Sequence, residues 1–538
     1  FAAYDSTHGY ELWRTDGTTT TLVRDIWAGA DGSYANGFTV LGGYLYFQAD
    51  DGTHGWELWR TDGTTTTLVS DINVGASGSI PEGFTALGGY LYFAANDGTN
   101  GTELWRTDGT TTTLVSDIAT GAFSSYLYGF TALGGYLYFA AYDDTYGTEL
   151  WRTDGTTTTL VSDINLGSDG SYLYGFTALG GYLYFSADDG THGYELWRTN
   201  GTTTTLVRDI WAGAIGSSPQ SFTALGGYLY FQAADGTHGP ELWRTDGTTT
   251  TLVSDINRTG SSYPSTFTAL GGYLYFQAYD GTHGAELWRT DGTTTALVSD
   301  IWEGGGGSYP EGFTALDGYL YFQADDGTHG TELWRTDGTT TDLVSNINSG
   351  ADGSYANGFT KLGDYLYFSA YDSTHGTELW RTNGTTTTLV SDIRAGSDGS
   401  GPYGFTALGG YLYFAAYDST HGTELWRTDG TTTTLVSDIN VGAGESSPSG
   451  LTALGSYLYF QAYDSAHGTE LWRTDGTTTT LVSDIYVGAG GSYPQGFTAL
   501  GGSLCFQAYD STHGTELWRT DRSEEHTSEL QSRQYLVC

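Results

Sequence analysis

One feature limits what this chain can fold into more than any other: the sequence repeats itself at a fixed interval. The word "ELWRTDG" or "ELWRTNG" recurs along the chain, and its tryptophan falls at 13, 59, 105, 151, 197, 243, 288, 334, 380, 426, 472 and 518. Ten of the eleven intervals are 46 residues, and the one from Trp243 to Trp288 is 45. A period in this range marks a solenoid, propeller or array, in which each unit buries its faces against its neighbours. No Pro/Ser-rich hinge or shift of composition interrupts it, so 538 residues do not divide into several ordinary domains.

Residues 84–118 serve as one unit. "FTAL" reads as a short strand, and Gly88–Gly89 as a turn with positive φ. "YLYFAAN" reads as a second strand, rich in residues that suit a pleated surface. "DGTNG" turns the chain, "TELWRT" is the third strand, Asp108–Gly109 gives a hairpin signal, and "TTTTLVSDI" is the fourth strand. No segment has helical periodicity, so the expected class is all-β. Tyr90 and Tyr92 alternate with Leu91 and Phe93, and Leu104 opposes Trp105. Both faces of each sheet are therefore apolar and need covering. A propeller-like array of four-stranded antiparallel blades meets that need, with Trp13, Trp59, Trp105, Trp151 and Trp197 in the blade core. About eleven blades are expected in one large ring or open arc. The alternative is two six-bladed rings, meeting at the 45-residue interval.

The stretch "LVSDINVGASGSIPEGFTALGGYLYFAANDGTNGTELWRTDGT" resembles the ELWxxDGT repeat family of large, mostly bacterial secreted or surface proteins, and more distantly kelch blades. The resemblance covers residues 1–521. One departure is the turn, often "DGTAAGT" in the family and usually a tetrad of threonines here. The resemblance implies a propeller-like fold and an extracellular or cell-surface setting, and it carries no catalytic residues across. From Arg522 the repeat stops, and "RSEEHTSELQS" resembles the translation of a common short-read sequencing adapter. Residues 522–538 are expected to be a non-native tail, and both ends to be cuts in a longer array.

Charge excludes some partners. There are 62 acidic against 19 basic side chains, a net of −43, and Lys361 is the single lysine. Such a surface repels phosphate backbones and anionic lipid, so no nucleic-acid partner is expected. No apolar run approaches the ~20 residues of a membrane-spanning helix, so no membrane insertion is expected either. The two cysteines, Cys505 and Cys538, have no framework spacing.

Chemistry-bearing residues repeat as well. An Asp opens the second turn in every copy, a His follows three residues later in most, and the motif Glu three after that. Examples are Asp5 and His8, Asp51 and His54, and Asp189 and His192; Asn100 and Tyr146 replace the His in two copies. His and carboxylates can ligate metal, with Ca²⁺ favoured over Zn²⁺; alternatively Asp caps its own turn, His decorates the surface and Glu starts a strand. An enzyme needs one asymmetric site, whereas these copies are near-identical, and no nucleophile elbow or phosphate loop is present. The copies differ in the loop after "SDI" or "RDI", and meander topology puts that loop on the same rim as the Asp/His turns. Trp27, Trp211, Trp302 and Tyr486 lie in those loops and, if exposed, offer faces for sugar rings. The threonine tetrads are possible O-glycan sites, and N-glycan triplets begin at Asn100, Asn200, Asn257 and Asn383. The leading expectation is a non-enzymatic, secreted or surface scaffold for adhesion, gaining strength from many weak sites that meet extracellular glycans or surface proteins. The alternative is a lectin-like propeller that binds carbohydrate or calcium in defined pockets.

Overall fold

A computed structural model of the chain describes residues 2–5, 8–15, 20–29, 31–258, 260–500, 503–510, 514–520 and 527–529. Among these residues there is no helix, and the strands form twelve antiparallel sheets, eleven with four strands and the first with three. In each sheet the strands follow chain order as a simple meander.

The third blade shows why. Its strands run Glu82–Leu87, Tyr90–Asn96, Thr102–Thr107 and Thr112–Ser116. Leu87 pairs with Tyr90 across the two-residue turn Gly88–Gly89. Both glycines have positive φ (60° and 84°), the geometry of the tight turn whose twist matches the strands it joins. The third and fourth strands are joined by four residues, Asp108–Thr111, so half of the threonine tetrad is turn rather than strand. Asp108 holds that turn by accepting from the backbone N–H groups of Thr110 and Thr111 at 2.7 and 2.8 Å.

Register sorts the faces. Leu91, Phe93 and Ala95 pair with Thr107, Trp105 and Glu103 and share one face with them. Tyr92, Ala94 and Leu104 lie on the other. Each face packs against a different neighbour. Tyr46, Leu58 and Ile72 of the second blade enclose Leu91, Phe93 and Ala95 of the third, and Tyr92, Leu104 and Ile118 of the third enclose Leu137, Phe139 and Ala141 of the fourth. Leu91, Phe93 and Leu104 are entirely buried, and burial of such a side chain is worth roughly 1.5–3 kcal/mol.

The same clusters continue along the whole array, including between the sixth and seventh blades, where Tyr230, Leu242 and Ile256 pack on Leu274, Phe276 and Ala278. The residue missing from the 45-residue interval is lost from a loop, so it creates no boundary. The strand Ala2–Asp5 also lies against Gly514–Thr520, bringing the first blade to the twelfth. The arrangement is one closed array rather than two six-bladed rings. In the twelfth blade, Thr527–Glu529 pairs with the third strand in the place of a fourth strand; the rest of residues 522–538 lies outside the described residues.

Of the expected core tryptophans, Trp13 and Trp59 are buried, while Trp105, Trp151 and Trp197 are only partly so. At Trp59 the cause is an arginine of the blade before. Arg24 of the first blade stacks its guanidinium 5.3 Å from the ring of Trp59 and donates to the carbonyl of Thr66 at 2.8 Å. Arg208 does the same over Trp243, at 5.4 Å. Most other blades carry serine in that position, and beside it Trp105, Trp151 and Trp197 stay partly exposed.

Candidate functional site: the variable-loop rim

The turn after each second strand and the loop between blades lie together on one rim. A Cβ added to Gly55 would sit 2.5 Å from the backbone N of Gly78, so turn and loop touch backbone to backbone. The N–H groups of Ser79 and Ile80 both donate to the carbonyl of Trp56, at 2.7 and 2.9 Å. The carbonyl of Ser79 in turn accepts from Asn96 of the next blade at 2.9 Å. Every loop is thereby pinned between two blades.

The Asp/His pairs close their own turns. Asp51 accepts from the N–H groups of Thr53 and His54 at 2.9 and 2.7 Å, and its other oxygen meets His54 Nδ1 at 2.6 Å. Asp189 and His192 repeat this, with Nδ1 at 2.5 Å. The partner carboxylate raises the pKa of both histidines, and hydrogen bonds from the turn outweigh burial to lower those of Asp51 and Asp189. In the third blade Asn100 stands in for the histidine and donates to Asp97 at 2.6 Å, the same role with no titratable group. His8 is half-buried, and the side chain of Asp5 lies outside the described residues. Among the described residues no group of three or more His, Cys, Asp and Glu is arranged to hold a metal ion.

The motif glutamate does not join that pair, and its role was not legible in the sequence. Glu57 is fully buried. Its oxygens accept from the backbone N–H groups of Ile72 and Asn73 at 3.0 and 3.1 Å and from Ser79 Oγ at 2.6 Å. Glu149 meets Ser171 and Glu195 meets Ser217 in the same way. Where the repeat is one residue short, the deletion falls between the two partners, yet Glu241 still receives Ser262 Oγ at 2.5 Å. Burial dominates the electrostatics: the pKa of Glu149, Glu195 and Glu241 is pushed up to about 7, against the opposing pull of their hydrogen bonds.

The residue after each such serine is the least expected feature of the rim. At positions 34, 80, 126, 172, 218, 263, 309, 355, 401, 447 and 493 the backbone is left-handed, with φ between 45° and 55°. One is glycine and two are serine, one is Ile80, and the other seven are tyrosines. A left-handed residue with a Cβ costs roughly 1–2 kcal/mol, and bulky residues are rare there. These tyrosines are nevertheless exposed, from 48% at Tyr34 to 71% at Tyr126. Tyr34 stacks on Tyr10 at 5.2 Å, and Tyr126 meets Tyr142 edge-on at 6.3 Å. Beside Tyr493 an open cavity of about 490 Å³ is lined by Tyr486, Ser492, Gln495 and Tyr509.

The aromatics singled out from sequence sit differently. Trp27, Trp211, Trp302 and Tyr486 are half-buried, each with part of its ring against a neighbouring surface. A Cβ on Gly52 would lie 2.5 Å from the Trp27 indole, so the ring covers the turn of the next blade. Trp211 covers Gly236 and Trp302 covers Gly327 in the same manner, and Tyr486 stacks on Tyr509 at 5.4 Å. Where asparagine replaces the aromatic, it reaches the same turn by hydrogen bond: Ser373 N–H donates to Asn348 Oδ1 at 2.9 Å. Repetition signals the left-handed tyrosine as "SY", but only backbone geometry separates it from the other aromatics of the loop. Of the glycan triplets, Asn257 is buried and donates to the Ser261 carbonyl, whereas Asn200 and Asn383 sit on exposed turns.

The family model described as outer membrane protein assembly factor BamB matches residues 410–537. No curated protein matches the sequence. Among solved structures, the chain is similar to the GH74 enzyme of Niastella koreensis, at 13% identity over 93% of this chain and 92% of that one, with a TM-score of 0.25. It is similar also to the GH74 xyloglucanase of Xanthomonas campestris, at 12% identity over 98% and 90%, with a TM-score of 0.27. A prolyl endopeptidase structure matches at 12% identity over 63% and 54%, with a TM-score of 0.30. The tandem, all-β, propeller-type architecture stands on the sheets themselves.

Proposed function

We propose that the protein is a non-enzymatic repeat scaffold of the ELWxxDGT kind, secreted or displayed at a cell surface, which adheres through its variable-loop rim. The observation that carries this reading is the row of exposed tyrosines, found at the same place in seven of the eleven inter-blade loops and each held in a costly backbone conformation. Strain of this kind persists where surrounding structure over-determines it, and it clusters at functional positions. Blades fixed to one another by continuous apolar interfaces hold the sites at a set spacing, so weak contacts add as avidity. The absence of an enzyme role belongs to the same proposal. Asp51, His54 and Glu57 spend their polar atoms on their own turn and loop, and the copies give no one blade a distinct site.

The test is retention of the fluorescently labelled chain on intact cells and on extracted extracellular matrix. Saturable binding that slows in release as more blades engage supports the scaffold. Failure to bind either preparation overturns it.

A further inference from the structure

Resting on that adhesive reading and going further, we infer that the left-handed tyrosines are stacking platforms for a neutral polysaccharide. Four observations converge. First, Tyr126, Tyr172, Tyr263, Tyr309, Tyr355 and Tyr493 carry φ of 46–50° and are 59–71% exposed, so each of these six loops raises one aromatic ring into solvent. At position 401 glycine takes the same conformation without strain, so the fold itself has no need of a ring there.

Second, the backbone that carries each ring is held in place. The serine before each tyrosine is held by a buried glutamate, as Ser171 is by Glu149 at 2.8 Å and Ser354 by Glu332 at 2.5 Å. In five of the seven the tyrosine N–H is also held by the third strand of the preceding blade, as Tyr309 is by the Ala285 carbonyl at 3.0 Å. With the backbone held on both sides, only the side-chain torsions are left to lose freedom on binding.

Third, the rings are spaced out: they occupy seven of the eleven inter-blade loops, and Ile80, Ser218, Gly401 and Ser447 take the same place in the others. A protein partner would need a continuous buried centre. A chain of sugars offers the opposite pattern: C–H faces that meet the electron-rich ring face at intervals, with hydroxyls between that donate to carboxylates and carbonyls. The open cavity beside Tyr493 sets the rings of Tyr486, Tyr493 and Tyr509 next to the side-chain amide of Gln495. Fourth, a net charge of −43 repels anionic polymers and leaves neutral ones unopposed.

The experiment is native affinity electrophoresis of the full chain in gels containing hydroxyethylcellulose, glucomannan or soluble starch, with alginate as the anionic control. Retardation is expected in at least one neutral gel and not with alginate. Replacing Tyr126, Tyr172, Tyr309 and Tyr355 together by glycine should weaken apparent affinity at least tenfold while the melting temperature stays level or rises. The corresponding Tyr→Phe set should keep binding. No retardation in any neutral gel, or retardation untouched by the glycine set, overturns the inference. Cell-surface retention alongside unretarded gels would sink the polysaccharide reading and leave the scaffold standing; loss of both sinks both.

Discussion

Glu149 accepts a hydrogen bond from Ser171 at 2.8 Å, although neither side chain is exposed to water, and the residue after Ser171 is the left-handed, 59% exposed Tyr172. A strand residue of the invariant motif thus sets the geometry of the variable rim. The N–H of Asn165 also donates to Glu149, at 2.9 Å. Glu149→Ala strands these donors in a buried site and should cost about 3 kcal/mol, felt in its own blade and the next. Hydrogen exchange should show the loss in residues 147–172 and at the Asp188 N–H of the next blade, which donates to the Ser171 carbonyl. Glu149→Gln keeps an acceptor of the same shape and should cost less than half as much.

Stability should peak in mild acid. The buried glutamates titrate up to about 7 from an ordinary 4.5, because burial penalises the charged form. A raised carboxyl pKa means the folded state binds the proton more tightly, so this stability is complete below about 4.5 and is lost as pH rises toward and through 7. The raised histidines act in the same direction above their ordinary 6.5. Asp51 and Asp189 are lowered from 3.8, so their contribution is present above that value and lost as pH falls below it. Thermal unfolding should therefore give a higher melting temperature at pH 5 than at pH 8, and a lower one again at pH 2. A melting temperature that rises steadily from pH 5 to pH 8 would contradict this account.

Glycines of similar conformation should differ sharply in tolerance. Gly55 faces the backbone of Gly78 with no room for a Cβ, whereas Gly88 has open space around it. Gly88→Ala should cost only the left-handed strain, about 1 kcal/mol. Gly55→Ala adds a backbone clash and should cost several times more, read by chemical denaturation.

Arg24 offers a test of the blade cap. Arg24→Ser reproduces the side chain most blades carry, and removes both the stacking on Trp59 and the donation to Thr66. About 1 kcal/mol should be lost. Indole fluorescence should gain a solvent-exposed component of about one residue.

The rim tyrosines should show opposite effects on fold and binding. Tyr309→Gly relieves the strain at φ 47° and should stabilise the blade by up to about 1 kcal/mol, while it weakens retention on cells. Tyr309→Phe should leave both unchanged.

Much of the fold was legible in the residues because period and alternation are local. Leu91 and Phe93 facing away from Tyr90 and Tyr92 require two covered faces, and a 46-residue repeat supplies two identical neighbours. The threonine tetrad was harder: Thr110 and Thr111 look like strand by type, yet Asp108 draws their N–H groups into the turn. Nothing local separates Trp27 from Tyr34 as rim aromatics. Trp27 is claimed by a glycine in the next blade, and Tyr34 is turned outward by a backbone pinned at Ser33 and Tyr10. The motif glutamate hides for the same reason, since its partners lie 15 to 22 residues away and meet it only after the loop folds back. Sequence alone determined that the chain would be β, repetitive, acidic and stacked, because side-chain period and charge are properties of neighbours along the chain. Tertiary structure decided that the array closes as one, that the glutamate is a buried anchor, and which aromatic each loop presents, because contacts between blades and across loops settle those choices.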